Sequence, residues 1–265
     1  MSVNSYLSNL SSDLVLSLEE KESIQRSINA LSKNLNYYFC NDELHTHFQF
    51  GSSTRGTILP RRADSKSDID YMVVFKNPNG YKPQTLLSYL KSFMNKYYSR
   101  SEIYRDSPTM VLELDHIKFE LVPAVQDDWG NLSIPAPKTD YLEWMLTDPK
   151  GFDSKLTTAN INNNSRLKPV IRLMKYWNRN KLHGHYSSFA LEKWLVERYN
   201  IFSKSSIKDY VYESIEILIS SNDDSQTFKD RLEYAKKVVR ICKELEKSGY
   251  PATAKDEIKK LFPEL

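Results

Sequence analysis

Asp68 and Asp70 open the run Asp-Ile-Asp-Tyr-Met-Val-Val-Phe, whose apolar, β-branched tail predicts a strand over Ile69–Phe75. Side chains on a strand alternate faces, so the two carboxylates point the same way, roughly 7 Å apart along the chain. Like charges so placed repel, and one is pushed toward protonation unless a cation joins them. Where phosphates are near, the hard, oxygen-ligated cation is Mg²⁺, held by one or two carboxylates and water. Upstream, the short extended run His45–Phe50 ends at Gly51-Ser52-Ser53. Glycine there lets backbone N–H groups approach an anion closely, and the serines add hydroxyl donors. Acids alternate on many surface strands, and Gly-Ser is a frequent turn. Together, however, the two features point to phosphate chemistry assisted by metal.

Two-metal chemistry needs a third acid. In such sites two ions about 3.5–4 Å apart clamp the attacking and leaving oxygens of an in-line displacement. Glu113, Asp115 and Glu120 are the candidates. Asp115-His116 is the turn of a predicted hairpin between Thr109–Leu114 and Ile117–Val122, with Pro123 expected to close the second strand. Spacing alone does not choose among the three.

A second group lies further on. Lys168, Arg172, Lys175 and Arg179 step by four, three and four, and so share one face of a predicted helix. Leu167, Val170, Met174 and Trp177 line the other side. A solvated basic face is the ordinary fate of such a run, but no acids four residues on relieve the repulsion, which favours an external anion. His183-Gly184-His185 has no further His or Cys near it and is expected to be a loop.

These residues need elements to position them. Ser17-Leu18-Glu19-Glu20 is a capping box, followed by Ile24, Ile28, Leu31, Leu35 and Tyr38 at helical spacing. A later helix carries Leu86, Leu87, Leu90, Phe93, Met94 and Tyr97 on its inner side. Helices are also expected at 188–199 and 206–219, and a longer one through Phe228, Leu232, Ala235, Val239, Cys242 and Leu245. Strands and helices mix in the first part without regular alternation, and no strand is evident after Asn160. The fold class is therefore α+β. The Pro- and Asp-rich stretch 123–140 carries the chain toward the helical part.

The pattern Gly-Ser, then Asp-x-Asp, then acid flanked by apolar residues and Val-Pro resembles the nucleotidyltransferases with a DNA polymerase β-like fold. Within them, "GSSTRGT…SDID" and "FELVPA" are similar to the CD-NTases, the bacterial cyclic GMP–AMP synthase/DncV-like enzymes. The resemblance covers about Gly51 to Glu192. It implies a core lobe, residues 1–155 with an N-terminal bridging helix, and a helical lobe, residues 156–265, with the active site in the cleft between them. It also implies that Asp68, Asp70 and Glu120 hold two Mg²⁺ ions (Mn²⁺ as the substitute), Glu120 standing where relatives often carry Asp. Gly51, Ser52 and Ser53 would cradle phosphate. Lys175 in "RLMKYW" and Ser188 in "YSSFALE" would hold the donor triphosphate. Phe189 would stack on a base or, on its own sequence merits, fill a core. The implied activity joins ATP or other NTPs into a cyclic di- or trinucleotide, which signals to a separate effector in antiphage defence.

Bulk properties limit the other readings. The 265 residues carry 37 Lys and Arg against 34 Asp and Glu, a net charge of +3, too little for a general nucleic-acid coat. An RNA-tailing enzyme of the same chemistry would want an extended basic groove. A non-catalytic nucleotide-binding module would be free to lose its acids. Cys40 and Cys242 form no CxxC pair, which argues for a reducing compartment and against a disulfide framework or a structural zinc ribbon. No basic-then-apolar leader and no membrane-spanning run are evident, so a cytoplasmic protein is expected.

Overall fold

The computed structural model of the chain describes residues 2–39, 43–77, 79–106, 108–136, 143–201 and 203–265. Cys40 and part of the stretch 123–140 lie outside the described residues. The chain enters through α1 (Val3–Asp13), capped by Ser2, whose hydroxyl accepts the Ser5 N–H at 3.2 Å. Four serines in this helix lower its intrinsic propensity and hide it from periodicity reading. Burial of Val3, Tyr6, Leu7 and Leu10 on one stripe holds it. The capping box at Ser17 and Glu20 closes as expected, with bonds of 2.8 and 3.1 Å, and starts α2 (Leu18–Tyr38).

Among the described residues the sheet has seven strands. β1 (Leu44–Phe50) is followed by the single-turn α3 (Ser52–Arg55), β2 (Asp68–Phe75) and α4 (Pro83–Tyr97). Then come β3 (Glu102–Asp106), β4 (Thr109–Glu113), β5 (Lys118–Gln126), β6 (Leu132–Pro135) and β7 (Trp144–Thr147). The main path runs β1-β2-β5-β4-β3, and β6 and β7 extend from β5. Only the β2–β5 pair is parallel among the pairings described. Ile69, Tyr71 and Phe75 of β2 and Phe119 and Leu121 of β5 are buried. Beneath the sheet, the Phe39 ring meets Phe75 edge-on and Phe39 packs beside Phe93 of α4.

The sequence expectation needs correcting at two places here. Pro123 does not end β5, which continues to Gln126. It falls between the last β4 partner, at Leu121, and the first β6 partner, at Val125, where a missing N–H breaks no ladder. β3 is mostly exposed, and β6 and β7 have four residues each, so none carries the alternation that marks a strand. His45 is exposed, while His47 bridges Tyr71 Oη at 2.8 Å and Asn36 Oδ1 at 2.9 Å.

The rest is helical: α5 (Pro149–Asn162), α6 (Leu167–Lys181), α7 (Ser188–Tyr199), α8 (Ile207–Ile217), α9 (Gln226–Lys247) and α10 (Pro251–Ile258). Trp177, Tyr199, Tyr210 and Phe262 are buried among them. Asn163 Nδ2 donates to the Tyr199 carbonyl at 2.8 Å, and Tyr199 Oη donates to the Tyr210 carbonyl at 3.1 Å. His185 stacks on Phe228 and pairs with Asp224, a structural role. Cys242 is a buried free thiol.

By contacts the chain divides into two compact units. Residues 17–55 and 66–154 form one, which holds the sheet, α2 and α4. Residues 1–16, 56–65 and 155–265 form the other. Chain order shows one change of character near residue 155. Spatially, the segments 1–16 and 56–65 also group with the C-terminal helices, because the side of α1 that carries Tyr6 packs there, its hydroxyl donating to the Phe262 carbonyl at 2.5 Å. Among the described residues no helix is long and apolar enough to cross a membrane.

Candidate functional site

Strand alternation builds the first half of the site. Along β2, Asp68 and Asp70 are half-buried while Ile69 and Tyr71 are buried, so both acids lie on the face away from α4. The same alternation along β5 puts Lys118 and Glu120 on that face. The parallel register pairs Asp68 with Lys118 and Asp70 with Glu120. Three carboxylates from two neighbouring strands, about 4.8 Å apart, therefore share one patch. Glu113 occupies the same face one strand further, opposite Lys118, and accepts a hydrogen bond from Tyr104 Oη at 3.2 Å. Asp115 is exposed in the hairpin turn. Further along β2 this face turns apolar, with Met72, Val74 and Ala124 buried under Phe48, Phe50, Leu132 and Ile134.

Lys118 is the residue that sequence reasoning missed. Its Nζ lies 2.6 Å from Glu120 Oε1 and 3.3 Å from Asp68 Oδ2. The signal was present: Lys-x-Glu on a strand puts both side chains on one face. Burial raises the Asp68 carboxyl pKa to about 6, helped by the Glu120 charge and opposed by Lys118. Burial pulls the Lys118 ammonium the other way, but its bond to Glu120 and the charges of both acids prevail, and its pKa moves up.

The residues fit a divalent ion. The donors are hard carboxylate oxygens of the kind such an ion takes, and a positive group, the Lys118 ammonium, already stands between Asp68 and Glu120. As the side chains stand, no three His, Cys, Asp or Glu among the described residues gather closely enough to hold one, and the Lys118 ammonium lies between two of the acids.

Gly51 stands beside this patch at φ +82°. A Cβ there would lie 2.7 Å from Asp70 Cγ and 2.9 Å from Asp70 Cβ. Glycine is needed for both the left-handed turn and the nearness of Asp70. Ser52 and Ser53 open α3. Ser53 Oγ accepts from Gln49 Nε2 at 2.8 Å and donates to the Phe50 carbonyl at 3.2 Å, so its hydroxyl serves the turn. Thr54 Oγ1 bonds the Gly51 carbonyl at 2.9 Å, and buried Arg55 pairs with Asp153 at 3.1 Å over the Phe152 ring. These contacts fix the loop that bears Ser52.

The cationic face of α6 belongs to the other unit. It is not the solvated face that such runs usually make. Arg172 and Lys175 are buried. Arg172 donates to the carbonyls of Ser11 at 3.2 Å and Gly56 at 3.0 Å, and burial lowers its pKa to about 10. Lys175 Nζ donates to the Thr57 carbonyl at 3.0 Å, and Thr57 Oγ1 donates to the buried Glu192 carboxylate at 2.8 Å. Arg179 pairs with Asp64 at 2.8 Å, and Lys168 is half-buried. Backbone carbonyls and an acid distant in sequence supply what i+4 neighbours do not.

Ser187 caps α7 through the Ala190 N–H, which leaves Ser188 as its first residue, exposed. Phe189 is 52% exposed and is not a core residue. A large aromatic displayed in the first turn of a helix suits stacking better than packing.

A family model, the Second Messenger Oligonucleotide or Dinucleotide Synthetase domain, matches residues 1–160. A curated relative from an Acinetobacter species, cyclic AMP-AMP-AMP synthase, is 24% identical over 177 residues. That match takes in 64% of this chain and 51% of the relative, so the chain spans about half the length of the curated relative. Among solved structures, E. coli CdnC in its complex with HORMA-deltaN superposes with a TM-score of 0.68 at 15% identity, over 98% of this chain and 95% of that one. Bradyrhizobium diazoefficiens CD-NTase CdnG, in complex with GTP, gives 0.68 at 12% identity over 98% of both chains. Vibrio cholerae DncV in its apo form gives 0.65 at 12% identity, over 86% of this chain and 85% of that one. The α+β fold is thus that of the CD-NTases.

Proposed function

Since the chain belongs to the Second Messenger Oligonucleotide or Dinucleotide Synthetase domain family, we propose that it is a nucleotidyltransferase joining ribonucleoside triphosphates into a cyclic di- or trinucleotide. The observation that carries this reading is the β2–β5 register, which sets Glu120 beside Asp70 on the face that also holds Asp68. Those three acids would hold divalent cations. When bound, such ions stabilise phosphate charge and lower the pKa of an acceptor hydroxyl.

The chain's own residues do the rest. Gly51 leaves Asp70 its place, and the loop anchored by Thr54 and Arg55 presents Ser52 to phosphate, with Ser53 holding the turn through its hydroxyl. From the helical unit, Lys175 and Ser188 take the charge of the donor triphosphate. Phe189 stacks on a base. A ribose hydroxyl attacks the α-phosphorus, and pyrophosphate leaves. Repetition on bound nucleotides and a final intramolecular attack close the ring. ATP and GTP are the first substrates to test, given the names of the relatives. The product would act in the cytoplasm as a messenger that switches on a separate effector during phage infection.

The test is to incubate the purified protein with each pair of radiolabelled NTPs and Mg²⁺ or Mn²⁺, treat with phosphatase and separate the products. Small phosphatase-resistant species are expected. Long RNA ladders would mean a tailing enzyme instead, and binding of ATP without turnover a non-catalytic module.

A further inference from the structure

The acid face carries a cation of its own. Lys118 faces the same way as Asp68, Asp70 and Glu120 because it precedes Glu120 by two residues on β5. Its ammonium contacts Asp68 and Glu120 at 3.3 and 2.6 Å, and its side chain is less exposed than either acid. Exposed ion pairs contribute little. A single ammonium shared by two half-buried acids differs, because without it two charges of one sign would face each other in a poorly solvated patch.

Register also supplies a second partner. Glu113 of β4 is the antiparallel neighbour of Lys118, with Cβ atoms about 5 Å apart on the same face. Lysine has a flexible four-carbon stem, so its head can exchange one carboxylate for another without backbone movement. Asp68, Lys118 and Glu113 thus form a row across three strands, with the cation in the middle.

We propose that Lys118 is a resident counter-ion: it holds Asp68 and Glu120 together in the metal-free protein and swings toward Glu113 when a divalent ion enters. This inference rests on the reading of Asp68, Asp70 and Glu120 as ion ligands. Lys118 and the divalent ion compete for the same oxygens. The lysine keeps the face ordered before loading and weakens ion binding in return, which makes loading dependent on the additional charge that a triphosphate brings.

The test uses the full chain without nucleotide and Mn²⁺ alone as probe, with affinity measured by paramagnetic resonance or calorimetry. Lys118→Met should bind Mn²⁺ on the order of tenfold more tightly than the wild type, since one competing charge is gone. In chelator its unfolding temperature should fall, and saturating Mn²⁺ should restore it. Lys118→Arg, which keeps the charge, should bind Mn²⁺ no more tightly than the wild type; it serves if the Met variant does not fold. Glu113→Gln should weaken Mn²⁺ binding, because the displaced ammonium loses its acceptor. Unchanged or weaker binding in Lys118→Met, or tighter binding in Lys118→Arg, overturns the proposal while leaving the acids as ligands. Mn²⁺ affinity that survives Asp68→Asn with Asp70→Asn instead overturns the functional reading beneath it.

Discussion

Gly51 and Asp70 occupy one another's space: a side chain at position 51 would overlap the Asp70 carboxylate, whose γ-carbon lies 2.7 Å from where a Cβ would be. The two residues come from adjacent strand ends, since Phe50 pairs with Asp70 across β1 and β2. The glycine is therefore part of the acid site and not only a turn. Gly51→Ala should cost about 1–3 kcal/mol in urea unfolding, from the left-handed backbone and the displaced carboxylate together. It should also reduce nucleotide incorporation far more than that loss of stability explains. A variant as stable and active as the wild type would show that Asp70 has room to move.

The three acids should differ from ordinary surface carboxylates in what their removal does. Asp68→Asn and Asp70→Asn should each lower product formation by at least about 10²–10³-fold, the scale of losing one preorganised electrostatic partner. Far-UV circular dichroism should be unchanged, since neither side chain is in the core. Glu120→Gln should behave alike, whereas Glu113→Gln should keep substantial turnover at saturating metal. If Glu113 proves as sensitive as Glu120, the third acid has been misassigned.

Asp68 gives a pH signature in the absence of metal. Its pKa stands at about 6 in the folded protein against a reference value of 3.8, because burial and the Glu120 charge disfavour its ionised form. The folded state thus binds this proton more readily than the unfolded state. The contribution of Asp68 to stability should be greatest below pH 4, decline as pH rises toward 6, and level off above it. The decline should amount to about 1–3 kcal/mol, allowing for solvent screening and the shared Lys118. Chemical denaturation in chelator across pH 4–8 measures it, and Asp68→Asn should flatten that segment of the curve. A difference between wild type and Asp68→Asn that rises with pH through this window would contradict the assignment.

Local rules made much of this legible in sequence. The capping box at Ser17 and Glu20, the strand from Asp68 and the start of α7 at Ser188 each depend on residues a few positions apart, and each forms. What escaped depends on partners far along the chain. Alternation put Glu120 on a face, but only the β2–β5 register sets it beside Asp70. Helical spacing grouped Arg172 and Lys175, yet their acceptors are carbonyls of Ser11, Gly56 and Thr57, more than a hundred residues earlier. α1 was hidden by its serines and is held by burial that composition does not display. Lys118 differs: strand alternation alone places it among the acids, but its role as their shared partner appears only with the β2–β5 register.

Phe189 offers the cleanest separation of stability from binding. At 52% exposure it contributes little to the folded core, so Phe189→Ala should change unfolding free energy by no more than about 0.5 kcal/mol. If the ring stacks on a nucleobase, the same substitution should weaken nucleotide binding by about 1–3 kcal/mol. Phe189→Trp, which keeps a large aromatic face, should retain or strengthen it. Equilibrium binding of a fluorescent ATP analogue to the three proteins distinguishes these outcomes. A destabilised Ala variant with unaltered nucleotide affinity would place the ring in packing after all and remove it from the site.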